Sequence, residues 1–143
     1  MAILFGITRT TDDIDVIVGE TDGSKVYQRC VECGYELLTS RESVVEEYAI
    51  ASIRFFKPPR LLPTFELKPP RAFPQQYALE NRVSVRIGGK IVYISPIELQ
   101  IAYKLKLGSD KDVEDALFLY KALKSYIEEE ELNMWLRTFG VSL

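Results

Sequence analysis

The sequence predicts an α/β (α+β) fold, and three observations carry that expectation. Strand-like and helix-like patterns alternate from Ile14 to Ile94, the stretch after Ser95 reads as helix, and 47% hydrophobic content in 143 residues is ample for a core. The expected organisation is a sheet core over 1–94 and a helical part over 95–143 of the same single domain.

Each element has a local reason. Ile14 to Val18 alternates as a strand, with Ile14, Val16 and Val18 expected to face a core. Gly19 to Gly23 reads as a turn, and Ser24 to Cys33 as a helix with Val26, Cys30 and Cys33 inward, closed by Gly34. Tyr35 to Leu38 reads as a short strand, Glu42 to Ile50 as a helix and Ser52 to Lys57 as a strand, broken by Pro58 and Pro59. Leu62 to Lys68 is a strand with Phe65 and Leu67 on one face and Thr64, Glu66 and Lys68 on the other. A short helix over Pro74 to Leu79 precedes a hairpin, Arg82 to Ile87 and Lys90 to Ile94 about a Gly88-Gly89 turn. Ser95-Pro96-Ile97-Glu98 has the form of a capping box, predicting a helix to about Leu107 that Gly108 ends. Ser109 caps the next helix, expected to reach Ser125, and the acidic run Glu128 to Glu131 opens a last one carrying Leu132, Trp135, Leu136 and Phe139.

Composition narrows the chemistry. There is no histidine, which excludes Ser-His and Cys-His catalysis and every histidine-based metal site. Net charge is −3, so a long-range grip on nucleic-acid phosphates is not evident at the scale of the whole chain. Arg54, Lys57, Arg60, Lys68 and Arg71 make its middle locally basic, which allows an RNA acceptor or is a scatter of surface charges. No apolar run approaches the roughly 20 residues of a membrane helix, and no signal peptide is evident, so the expected location is cytoplasmic. Cys30 and Cys33 form a CxxC that reads as half a zinc site, a redox pair or a packed, reduced helix end; without further Cys or His the last fits best.

Asp13 and Asp15 are the most informative pair. Two residues apart on a strand, they project to one face, where like charges require solvent or a cation. Mg²⁺ takes hard oxygen ligands and is commonly held by one or two carboxylates plus substrate phosphates. The pair therefore reads either as half a phosphoryl-transfer site or as an exposed acidic strand terminus.

The succession G-x-T-R-T-T-D-D-I-D-V, the strand acid in Phe65-Glu66-Leu67 and the segment S-P-I-E-L-Q-I-A-Y-K-L-K-L-G-S-D-K-D-V-E-D-A together resemble nucleotidyltransferases of the DNA polymerase β superfamily. The minimal prokaryotic AbiEii-like proteins, some of them toxins of toxin-antitoxin pairs, are the subgroup resembled, over about Phe5 to Leu123. The resemblance implies a nucleotidyltransferase-like mixed β-sheet flanked by helices, and metal and catalytic roles for Asp13, Asp15 and Glu66 with two Mg²⁺ (or Mn²⁺) ions. It aligns Glu98, Lys104, Asp112 and Asp115 with the family's later motifs. Lys104 is then a phosphate partner or a surface lysine, Asp112 a site acid or a helix-start acid, Glu98 more simply a cap, and Glu66 a ligand or a strand residue paired with Lys68 or Arg71. The family's upstream helix and Gly-Gly or Gly-Ser pair have no counterpart before Gly6, as in a shortened product or with a misassigned start. Arg9, Thr10 and Thr11 are expected as substitute phosphate donors or as residues that shape the turn into the strand. The implied partners are a nucleoside triphosphate, an RNA or protein acceptor, an antitoxin or toxin, and a second copy meeting the apolar start Ala2 to Phe5, with no membrane. A catalytically silent protein-binding module of the same fold is the alternative.

Overall fold

The computed structural model describes residues 2–143, which form two compact units, Thr10–Leu79 and residues 2–9 with Glu80–Leu143. The first is built on a four-stranded mixed sheet. In chain order it holds β1 (Asp13–Ile17), α1 (Gly23–Glu32), β2 (Glu36–Leu37), a 3-10 turn at Arg41–Ser43, α2 (Val44–Ile50), β3 (Ile53–Lys57), β4 (Arg60–Lys68) and α3 (Phe73–Glu80). The strand order is β1-β4-β3-β2; β1 runs parallel to β4 and the other pairs are antiparallel.

Alternation along the strands sorts side chains between the two faces. Ile53 and Phe55 of β3 point to the helix-covered face, where they meet Val26 of α1 and Val44 and Tyr48 of α2 in a buried core bordered by Val18, Tyr35, Leu37 and Leu67. Gly23 permits the closeness of α1 to α2: a Cβ there would lie 2.8 Å from the Cβ of Tyr48. Asp22 caps α1 through Ser24 N–H, and Gly34, at φ +83°, ends it as the sequence led us to expect.

Several expectations for this unit are corrected. Ile14 keeps 38% of its surface exposed instead of entering the core, because it sits near the open end of an edge strand. Cys33 is exposed as the C-cap residue of α1, and only Cys30 turns partly inward; both thiols are free. Pro63 lies within β4, which begins two residues earlier than expected and reaches back to Arg60. Two of the basic residues hold helix ends: the Lys57 ammonium donates to the Cys33 carbonyl at the end of α1, and the Arg71 guanidinium donates to the Tyr48, Ala49 and Ala51 carbonyls that end α2.

The second unit begins with a 3-10 turn at Ala2–Phe5 that packs on a later helix. It continues with β5 (Val83–Ile87) and β6 (Lys90–Ile94), an antiparallel hairpin whose turn glycines, Gly88 and Gly89, both take positive φ. Helices α4 (Ile97–Leu107), α5 (Asp110–Ala122) and α6 (Glu129–Phe139) complete it, with α4 packed on both others. Ile101, Leu119, Leu132 and Trp135 are fully or nearly fully buried there. Gly108 at φ +71° ends α4, and the Ser109 hydroxyl accepts Asp112 N–H at the start of α5, both as expected. Helix α5 stops at Ala122, three residues short of expectation, and a 3-10 turn over Lys124–Tyr126 follows.

The expected capping box at Ser95 does not form. The N-cap residue of α4 is Pro96, which makes no side-chain cap, and the carboxylate of Glu98 is used elsewhere. Its Oε1 accepts the backbone N–H of Glu128, the residue that starts α6, at 2.9 Å, and the Glu98 residue is 6% exposed. Among the described residues no helix is long and apolar enough to cross a membrane.

Candidate functional site

The parallel pairing of β1 with β4 builds an acidic face from residues distant in sequence. Asp13 lies opposite Thr64, Asp15 opposite Glu66 and Ile17 opposite Lys68. Partners in register project to the same side, so Asp13, Asp15 and Glu66 share the face away from the hydrophobic core. Arg54 lies opposite Glu66 on the next strand and joins the same face.

The three carboxylates have different surroundings. Asp13 and Asp15 accept no side-chain hydrogen bond and make no ion pair among the described residues. The Asp15 residue is exposed as a whole, yet its carboxylate is partly desolvated by its neighbours, and this is the main cause that raises its pKa. Glu66 and Asp13 push in the same direction, while Lys68 and Arg54 oppose them. Glu66 is already satisfied: its Oε1 accepts the Ser52 hydroxyl at 2.6 Å and its Oε2 lies 3.5 Å from Arg54 Nη2. The Ser52 hydrogen bond first, and Arg54 after it, lower the Glu66 pKa. Its hydrogen-bond and ion-pair partners are therefore Ser52 and Arg54, where the strand-residue reading had named Lys68 or Arg71.

Hard oxygen donors on adjacent strands suit Mg²⁺ or Mn²⁺ in kind. Among the described residues no three carboxylates or thiols already converge on one point. Asp13 and Asp15 are uncommitted oxygen donors, whereas Glu66 is engaged by Ser52 and Arg54. Ser52 carried no functional signal on its own and Arg54 only as part of the basic middle; the place of Arg54 beside Glu66 follows from a register between strands that composition does not encode.

The expected phosphate partners fall in two places. Thr11 donates its hydroxyl to the Asp13 carbonyl at 2.8 Å, shaping the entry to β1, and Thr10 is exposed. Arg9, Lys104 and Asp112 belong to the other unit, in a network around Asp115. Arg9 Nη2 reaches Glu114 at 2.9 Å, and its Nη1 lies 3.1 Å from Asp115 Oδ1. Lys104 Nζ lies 2.9 Å from Asp115 Oδ2 and 3.4 Å from Asp112 Oδ1. Asp112 also accepts the Ser109 hydroxyl at 2.6 Å, the main cause lowering its pKa, with Lys104 adding to it. Asp115, 5% exposed between two cations, is the centre of this network and had no role assigned from sequence.

No family model matches the chain, and no curated protein matches it. Among solved structures it is similar to the crystal structure of an antigenic nucleotidyltransferase-like protein from Paracoccidioides brasiliensis, at 17% identity. That likeness covers 96% of this chain and 74% of the other, with a TM-score of 0.52. The fold is thus nucleotidyltransferase-like: a mixed sheet flanked by helices, with further helices at the carboxy terminus.

Proposed function

We propose that this chain is a metal-dependent nucleotidyltransferase of the AbiEii-like kind, moving a nucleoside monophosphate from a nucleoside triphosphate to an RNA or protein acceptor, as one member of a toxin-antitoxin pair. The observation that carries the reading is the β1–β4 register, which sets Asp15 beside Glu66 and places Asp13 on the same face. In such a transfer the acceptor oxygen bonds to the α-phosphorus as pyrophosphate leaves. Bound Mg²⁺ or Mn²⁺ supplies the positive charge that this exchange needs. Asp13 and Asp15 would hold that charge with Glu66 beside them; Ser52 hydrogen-bonds Glu66, and Arg54 lies against its other oxygen.

The test is calorimetric titration of Mg²⁺ with non-hydrolysable nucleoside triphosphate analogues into the folded chain and into Asp13→Ala. Metal-dependent binding that disappears in the variant supports the reading. A folded wild type that binds none of the analogues ends it. The second reading, a silent binding module of the same fold, is favoured by the satisfied state of Glu66; it expects Asp13→Ala to leave all binding unchanged and the fold no less stable.

A further inference from the structure

The acid face of the first unit carries cations of its own. Asp13, Asp15 and Glu66 bring three negative charges to it, and Arg54 and Lys68 lie on the same face. Arg54 stands opposite Glu66 in the β3–β4 ladder, and Lys68 is the next residue of β4 on that side. Three carboxylates against two cations leave the face with a single negative charge.

The carboxylates differ in what they leave open to an ion. Asp13 and Asp15 accept no side-chain hydrogen bond and make no ion pair among the described residues. Glu66, with a side chain only 20% exposed, uses both oxygens: Oε1 accepts the Ser52 hydroxyl at 2.6 Å, and Oε2 faces Arg54 Nη2 at 3.5 Å. Ser52 alone would be an ordinary supporting donor behind a ligating carboxylate. Arg54 is different, because its charge is permanent and lies where an ion on Oε2 would have to approach. A unit charge about 5 Å from a divalent ion opposes it roughly tenfold even in water. The ladder fixes the Arg54 backbone beside Glu66, so the guanidinium is tethered to this place. Nor do three carboxylates converge on one point among the described residues.

We propose that this site takes one divalent cation, at Asp13 and Asp15, and that the Arg54 guanidinium against Glu66 stands in the place of the second ion that the family resemblance implies. Arg54 is thus a positioning residue, which offsets the charge of Glu66 and keeps that carboxylate out of the metal shell. The purpose of this arrangement rests on the transfer reading, but the number of ions bound does not depend on any nucleotide or acceptor.

The test is Mn²⁺ titration of the full chain followed by electron paramagnetic resonance, with no nucleotide present. The wild type should bind one ion, and Asp13→Ala should lose it. Arg54→Gln should gain a second ion at least tenfold tighter than any second ion on the wild type. Arg54→Lys, which keeps the charge, should return to one, and adding Glu66→Gln to Arg54→Gln should remove the second ion while the first stays. Arg54 keeps 53% of its side chain exposed, and circular dichroism checks that each variant folds. Two ions on the wild type overturn the inference and leave the transfer reading standing. One ion on both the wild type and Arg54→Gln also overturns it, because Glu66 then declines an ion without help from Arg54. A folded wild type that binds no Mn²⁺ at millimolar concentration overturns both. One ion on the wild type and two on Arg54→Gln, with no nucleotide bound in the calorimetric titration, ends the transfer reading alone and keeps the role of Arg54.

Discussion

Asp15 and Glu66 sit side by side in the ladder and are pushed in opposite directions, one raised by burial and the other lowered by a hydroxyl donor. A carboxyl raised in the folded state stabilises the fold below its unfolded pKa, and that contribution is lost as pH rises through the folded pKa. At pH 7 ionised Asp15 therefore opposes folding. Asp15→Asn should raise the melting temperature by about 1–2 °C at pH 7, a small effect because solvent screens an exposed residue, while removing metal-dependent nucleotide binding. An unchanged or lower melting temperature at pH 7, with the same value at pH 4, would contradict the desolvation argument. Glu66 behaves in the other sense, contributing stability above its unfolded pKa that is lost as pH falls through the folded one. Ser52→Ala removes the chief donor and should cost about 1 kcal/mol at pH 7. Urea midpoints at pH 7 and pH 3 check it, since the cost should shrink once Glu66 is protonated.

Two elements meet at contacts that a single methyl or carboxylate decides. A Cβ on residue 23 would press on the Tyr48 Cβ, which is fixed to the backbone of α2 and cannot swing away. Gly23→Ala should therefore cost about 1–3 kcal/mol by overpacking, and a neutral urea midpoint would mean that α1 can shift freely. Glu98→Ala strips the acceptor from the Glu128 N–H and should cost about 2 kcal/mol, with faster amide exchange in the first turn of α6. Glu98→Gln, which keeps an acceptor oxygen, should cost less. These contacts mark the limit of what was legible in the sequence. Gly34, the Gly88-Gly89 turn, Gly108 and Ser109 were readable because each feature is decided within a few residues. Glu98 was misread as the third residue of a capping box because its true partner lies 30 residues away. Lys57 and Arg71 were legible only as part of a locally basic middle or as scattered surface charges for the same reason, since the carbonyls they cap come from distant helix ends. The acids of the candidate site were legible as types, but their alignment depends on the β1–β4 register, and nothing local fixes that register before the core face is buried.

For the molecule as a whole, the charges predict an asymmetric dependence of stability on pH. The chain has no histidine, so no side chain with an ordinary pKa near 6.5 titrates between pH 6 and 8, and the curve should be flat there. On the acid side the opposing carboxyls separate. As pH falls, Asp15 is protonated first in the folded state, because its pKa is raised, and stability increases. Glu66 and Asp112, both lowered, hold their charge longer, and their contributions disappear only as pH falls below the ordinary carboxylate range. Stability should therefore reach its maximum on the acid side of neutrality and then fall steeply. Burial raises Cys30 and Tyr48, whose neutral forms the fold favours, so stability should also decline as pH climbs past about 9. Urea midpoints from pH 3 to pH 10 read the full curve. In Asp15→Asn the acid-side rise should vanish while the steep fall remains in place. A wild-type maximum at pH 7 to 8, with the variant curve parallel to it, would show that Asp15 is solvated as an ordinary surface acid, and the face it shares with Asp13 and Glu66 would lose the electrostatic strain that a bound cation would relieve.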